Sequence, residues 1–354
     1  MHRNNKTPNL YKNLFLLLIL LLILAACTAN QPATTPVHTS APSVTPLAPH
    51  TIAPTLGINL AYTDTTTPSE TAPPTPAAES DVTPDTTATF PSITQISPSP
   101  DAWMTEPTIP TVSQTARSIY QRGIEMGNDP HAFSKIGDCQ SIPTYFLSYF
   151  DLPGQYNLGR YTDLQDTINW YAGSFSRQSL SVKGGFNAAA ILSPLRADPS
   201  QCESNENPIQ CEFRLHHPSV AIISLEEWWA GHPENYEAYM RQIIEYAISQ
   251  GVVPILATKA DNLEGNNLIN QTIAALAHEY DIPLWNFWAA VQPLPNHGLM
   301  AYNTSGEVDM FHLTHSEGYY FYNDPSGTQS GWSVRNLTAL QVLDAVRRGL
   351  LEQP

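Results

Sequence analysis

Basic residues are scarce in this chain. Sixteen Lys plus Arg stand against 32 Asp plus Glu, a formal net charge of −16, and no Lys or Arg occurs between Thr28 and Val112. With no basic stretch to release counterions, nucleic acid binding through phosphate neutralisation is excluded as a leading function. An anionic membrane surface would repel the domain as well. Long apolar runs are also missing, apart from Leu14 to Leu24 near the N-terminus. Cysteine is limited to four residues, and no internal repeat of fixed period stands out. Only Asp309, His312 and His315 approach metal-ligand spacing, so neither a metal nor a cofactor is expected.

Proline, by contrast, is plentiful and unevenly placed. Of 31 prolines, 16 fall between Thr28 and Val112. Runs such as Thr71-Ala72-Pro73-Pro74-Thr75-Pro76 cannot bury enough apolar surface to offset chain entropy. Residues 28–112 therefore read as a disordered Thr/Pro-rich tether, with a reach between about 50 Å and about 260 Å. The remaining 242 residues, 113–354, carry 13 basic and 25 acidic side chains, a balance of −12. That length suffices for one large core, and a monomer is expected.

The first 27 residues read as an address. Arg3, Lys6 and Lys12 precede the apolar run, and Ala25, Ala26 and Cys27 follow it. Thirteen apolar or small residues are too few to cross a hydrocarbon core of about 30 Å as a helix, but they suit a signal-peptide core. Leu24-Ala25-Ala26-Cys27 resembles a bacterial lipobox, in which the Cys27 thiol is acylated. An ordinary secretory signal is the alternative. Lipidation would hold the protein to the membrane from outside the cytoplasm. In that oxidising setting cysteines pair where geometry permits. Cys202 and Cys211 flank a polar, turn-rich stretch and are expected to form a disulfide, which leaves Cys139 unpaired.

The domain alternates strand and helix. Strands are predicted at Phe133–Gly137, Pro218–Leu225, Val252–Ala257 and Ile282–Phe287. The run Pro-Ser-Val-Ala-Ile-Ile-Ser-Leu from Pro218 suits a strand buried on both faces. Apolar residues recur at helical spacing over Asn235–Gln250, with Gly251 as the stop. Helices are also predicted over Leu268–Tyr280 and Leu337–Leu351, the last opened by Asn336. Strands joined by crossover helices predict an α/β fold: a parallel sheet flanked by helices on both faces, flavodoxin-like and three-layered. Chemistry in such sheets lies at the carboxyl ends of the strands.

Two motifs fall at such positions. Gly137-Asp138-Cys139 follows the first strand, where a helix N-terminus would favour a thiolate. Asp309-Met310-Phe311-His312 precedes the last helix, and an Asp three residues before a His can hold one ring nitrogen and leave the other for a nucleophile. His216-His217 reads as loop. Ser141 is a possible shifted nucleophile, but two residues along a helix it points elsewhere.

Gly137-Asp138-Cys139 resembles the first sequence block of the SGNH (GDSL-type) hydrolases, where Gly-Asp-Ser carries the nucleophile. Asp309-Met310-Phe311-His312 is similar to the last block, and Gly184-Gly185-Phe186-Asn187 to the second. Ser224-Leu225-Glu226-Glu227 occupies the place of the third block, normally Gly-x-Asn-Asp. The resemblance covers about 113–354. It implies an SGNH hydrolase-like fold, Cys139 as nucleophile, His312 as base, Asp309 as its orienter, and an oxyanion hole from the backbone N–H of Cys139 and of Gly185. Two departures accompany it. Cys139 stands where the family has Ser, which keeps a nucleophile. Glu226 stands where the family has an oxyanion-hole Asn, and losing one such donor costs about 3–4 kcal/mol.

Glu226, Trp228 and Trp229 follow the third-block strand and are candidate substrate contacts; Trp228 and Trp229 could stack on a sugar ring or simply cover the loop. Tyr319-Tyr320-Phe321-Tyr322 raises the same pair of readings. The function expected is extracytoplasmic hydrolysis of a small ester, such as an acetyl group on a polysaccharide. The alternative is a non-catalytic surface module that holds a glycan or peptide in the same cleft.

Overall fold

The computed structural model describes residues 100–225, 233–302, 306, 308–315 and 330–352. Cys27, the chain up to residue 99, Glu226, Trp228, Trp229 and Tyr319 to Tyr322 lie outside the described residues. The elements in chain order are α1 (Gln114–Glu125), β1 (Asp129–Gly137), α2 (Gln165–Trp170), α3 (Ala188–Ile191), α4 (Pro208–His216), β2 (Pro218–Ser224), α5 (Pro233–Ser249), β3 (Val253–Ala257), α6 (Leu268–Glu279), β4 (Leu284–Trp285), α7 (Phe287–Val291) and α8 (Gly331–Leu351). The four strands form one all-parallel sheet in the order β1-β2-β3-β4. No helix among the described residues is long and apolar enough to cross a membrane.

The strands are where continuous apolar runs put them. Every residue of β2 and of β3 is buried, as befits strands covered on both faces. Their register is in step: Ile136 faces Ile223, which faces Leu256, and Leu256 faces Leu284. A further parallel bridge joins Gly137 to Val182. Gly137 also pairs with Ser224 of β2, so Val182 occupies the other edge of β1. With that short segment counted in chain order, the arrangement is 2-1-3-4-5, a doubly wound order whose direction reverses at the carboxyl end of β1.

The helices sort as right-handed crossovers require. On one face α4 lies on β1, α5 on β3, and α6 on β3 and β4. On the other, α1 covers β2 and β3 while α8 packs on α1, α2 and α7. Helix α2 precedes the Val182 bridge, a step in the opposite direction across the sheet, and accordingly belongs to the opposite layer. Helix α5 buries Tyr236, Met240, Ile243, Ile244 and Ala247, and Gly251 (φ 68°) ends it.

Several boundaries differ from the sequence reading; β1, for one, starts at Asp129 and not at Phe133. Helix α8 starts at Gly331, not after Asn336, because Ser330 caps it by accepting from the Ser333 N–H. Asn336 instead accepts from Leu147 N (2.6 Å) and donates to Tyr145 O (3.0 Å), inside the helix. Strand β4 stops at Trp285 because Asn286 caps α7. Residues 101–112, counted with the tether by composition, pack on the domain: Trp103 is buried, its ring lies edge-on to Trp288 at 5.0 Å, and Asn286 holds the Trp103 and Glu106 carbonyls. His216 is the last residue of α4 rather than loop, with His217 as its left-handed cap.

Cys202 and Cys211 are joined in a disulfide. It ties the loop before α4 to that helix, whose start is a capping box of Asn207 and Gln210. Replacing both cysteines by alanine is expected to lower stability by about 2–3 kcal/mol in urea denaturation, since the closed loop is short.

Lys135 is fully enclosed in β1, its Nζ donating to Phe175 O at 2.6 Å. Burial, aided by Arg177 and opposed by Glu212 and Asp151, pushes its pKa from 10.5 down to about 7. The unfolded chain therefore binds a proton that the folded one releases, and stability rises with pH between about 7 and 10.5. Lys135→Met is expected to remove a slope of up to about 1.4 kcal/mol per pH unit across that window, read as the difference between urea melts of the two proteins.

Candidate active site

Gly137 ends β1 at the reversal point of the sheet. A Cβ there would meet the Ser141 hydroxyl and stand 2.6 Å from the Ser224 carbonyl oxygen. The chain turns sharply after it. Asp138 is buried and accepts from Gln140 N at 2.8 Å, which closes a single 3-10 turn over Cys139–Ser141. The helix expected after Cys139 is thus one turn long, too short to aim a helix dipole at the thiol. Ser141 is buried against Gly137, away from the position of Cys139.

The second half of the site is a folded-back loop. Leu299 bridges Leu313, and Tyr302 bridges Val308, both antiparallel. Met300 N donates to His312 O at 2.8 Å, and Asp309 N to Ala301 O at 3.1 Å. Thr314 then fastens this loop to α8: its carbonyl accepts from Trp332 N (3.1 Å) and its hydroxyl from Gly331 N (2.8 Å).

These two segments bring together residues 173 positions apart. Cys139 Sγ lies 4.0 Å from His312 Nε2, and His312 Nδ1 lies 2.6 Å from Asp309 Oδ2. Asp309 Oδ1 accepts from the His312 and Phe311 N–H groups at 3.1 and 3.3 Å. Burial works to raise the Asp309 carboxyl, but the His312 backbone and ring bonds and the Phe311 backbone bond outweigh it, and the pKa falls below 3.8. An ionised Asp309 favours the His312 tautomer with the proton on Nδ1. The Nε2 lone pair is then left for the thiol.

One side chain joins the halves and a second braces the Cys139 turn from α8. Gln140 Nε2 donates to Phe311 O at 3.0 Å, so the residues next to Cys139 and His312 are bonded to each other. Arg335 of α8 is fully buried beneath them, with Nε on Gln140 O (3.3 Å) and a terminal nitrogen on Ser224 Oγ (2.7 Å). Its guanidinium faces the rings of Phe146, Trp285 and Phe287 at 4.7–5.2 Å. Sequence reading missed Arg335, since an arginine inside an amphipathic helix carries no signal of burial.

Gly184 lies next to Cys139, whose Cβ stands 4.0 Å from where the Gly184 Cβ would be. Gly185 follows with φ 80°, a conformation that favours glycine. Asn187 caps α3 through Ala190 N. Thr258 to Asp261, at the end of β3, form a brace instead of joining the pair: Lys259 Nζ is bonded to Asp261 (2.6 Å) and Glu264 (2.5 Å). His315 lines the cleft at its exposed edge. Among the described residues, the one set with ligand atoms mutually within 4.8 Å is Cys202, Glu206 and Cys211, whose two sulfurs are already bonded to each other.

A cleft of about 500 Å³ opens over the Cys139–His312 pair, walled by Ile142, Tyr145, Met300, Phe311, Leu313 and Trp332. The arrangement can move a proton from a thiol to an imidazole beside an apolar cavity. No protein-family model matches this chain, and no curated protein matches it.

Gly137→Ala tests the convergence of segments beneath Cys139. Overpacking of this kind is expected to cost about 1–3 kcal/mol in urea denaturation, against the gain that alanine normally brings in a strand.

Proposed function

We propose that this protein is an SGNH-type thiol hydrolase that cleaves a small ester, such as an acetyl group on a polysaccharide, by acyl transfer through Cys139. In this proposal it is exported, lipidated at Cys27 and carried on a Thr/Pro-rich tether outside the cytoplasm. The observation that carries the reading is the Cys139–His312–Asp309 relay at the carboxyl edge of the parallel sheet, with spacings of 4.0 and 2.6 Å. The motif order along the chain supports it, with Gly-Asp-Cys after the first strand, Gly-Gly next, and Asp-x-x-His before the last helix.

The chemistry follows from those positions. His312 Nε2 takes the proton of the Cys139 thiol as sulfur attacks the ester carbonyl. A C–S bond forms and the carbonyl electron pair moves onto oxygen, toward the N–H groups of Cys139 and Gly185. His312 returns its proton to the leaving alcohol oxygen, the C–O bond breaks, and a thioester remains on Cys139. Water, deprotonated by His312, attacks that thioester. The C–S bond breaks, the acid departs, and the thiol regains its proton. Asp309 holds the imidazole and balances the imidazolium in both halves. Glu226 supplies no oxyanion donor when ionised, so turnover is expected to be slow by the standard of a three-donor site, by about 10²–10³-fold.

The test is hydrolysis of short-chain aryl esters by the full chain under mild reduction. Cys139→Ala and His312→Ala are each expected to lose at least about a thousandfold in kcat, while Cys139→Ser keeps a measurable rate. Equal turnover in wild type and Cys139→Ala overturns the reading, and silence throughout favours a surface module that only binds.

A further inference from the structure

The cleft has a side. Among the described residues, its walls come from 139–145, Met300, 308–315 and Trp332, and neither Gly184 nor Gly185 lines it. It therefore lies toward the His312 loop and α8, away from the glycines beside Cys139. Its surface is mostly apolar and aromatic, with Gln140, Asp309, His312 and His315 as the polar residues. The Tyr145 and Trp332 rings stand 5.5 Å apart at 31°, and Phe311 lies 4.1 Å from the His312 ring. The Gln140 amide N–H is directed to Phe311 O.

In acyl transfer these directions are not equivalent. The acid that protonates the leaving oxygen must touch it, so the alcohol portion of the substrate extends toward His312. The oxyanion points the other way, toward the glycine side. We infer that the cleft is a leaving-group subsite: the ester it selects has a small acyl part and an apolar alcohol part seated among Tyr145, Phe311 and Trp332. This inference rests on the hydrolase reading and narrows its substrate class, putting an apolar alcohol in place of the polysaccharide given there as an example. Specificity then lies in the alcohol, since among the described residues no comparable wall stands on the glycine side.

Hexyl acetate and ethyl hexanoate separate the two possibilities, because they are isomers of equal hydrophobicity that differ only in the side of the carbonyl carrying the chain. With the full chain, kcat/KM is expected to favour hexyl acetate by at least about tenfold, since each buried methylene brings about fourfold from roughly 0.8 kcal/mol. Along the series ethyl, butyl and hexyl acetate the value rises. Trp332→Ala and the cavity-filling Met300→Trp each pull the isomer ratio toward one, with folding of both checked by their thermal melts. A ratio of one or below in wild type, with turnover abolished by Cys139→Ala, overturns the subsite and leaves the hydrolase reading standing. Absence of Cys139-dependent turnover on every ester overturns both.

Discussion

Everything near the site depends on the space left by one missing side chain. Gly137 pairs on one edge with Ser224 and on the other with Val182, while Ser141 folds back onto it. Three segments distant in sequence meet there, at the point where a parallel sheet reverses its direction of winding. Any Cβ would push them apart, and with them the turn that presents Cys139. The strands supply the direction, and the glycine supplies the closeness.

From that point the site is held from below and from the side. Arg335 reaches from α8 to the Gln140 carbonyl and to Ser224, which joins the last helix to the Cys139 turn and to β2. Gln140 reaches sideways to the His312 loop, and Thr314 anchors that loop to the start of α8. Each contact restricts a different degree of freedom of the Cys139–His312 pair. A 4.0 Å separation between groups on two loops is maintained because both loops are bonded to one helix. In the proposed reaction this fixes where the leaving oxygen must come, and it gives the adjoining apolar cleft a chemical meaning.

The chain has few charges, 14% of its residues, yet among the described residues three basic side chains are buried. Lys135 lies under the end of β1 with a carbonyl and the Arg177–Glu212 pair nearby. Lys259 is gripped by two carboxylates, and Arg335 by a carbonyl, a hydroxyl and three aromatic faces. Buried charge of this kind is tolerated only where hydrogen bonds accompany it. All three lie in or after β1, β3 and α8, the elements that frame the carboxyl edge of the sheet.

Much of this was legible in residue patterns. Continuous apolar runs in β2 and β3, the helical spacing of α5 and the stop at Gly251 are local properties, set by burial and by backbone conformations that only some residues adopt. The α/β class follows from their alternation, and the Cys202–Cys211 bond from a short intervening loop. Boundaries set by distant partners were not legible. Asn336 looks like a cap, but its side chain is engaged by Tyr145 and Leu147; Trp103 sits in a tether-like stretch but finds Trp288. The helix expected after Cys139 is a single turn because Asp138 and Gly137 close the chain on itself first. Local composition thus decided which described segments are strand or helix, since burial and dihedral preference act residue by residue. Tertiary structure alone decided that Cys139 meets His312, that Arg335 lies beneath them and that the cleft opens on the histidine side, because those depend on distances between residues that the chain order does not contain.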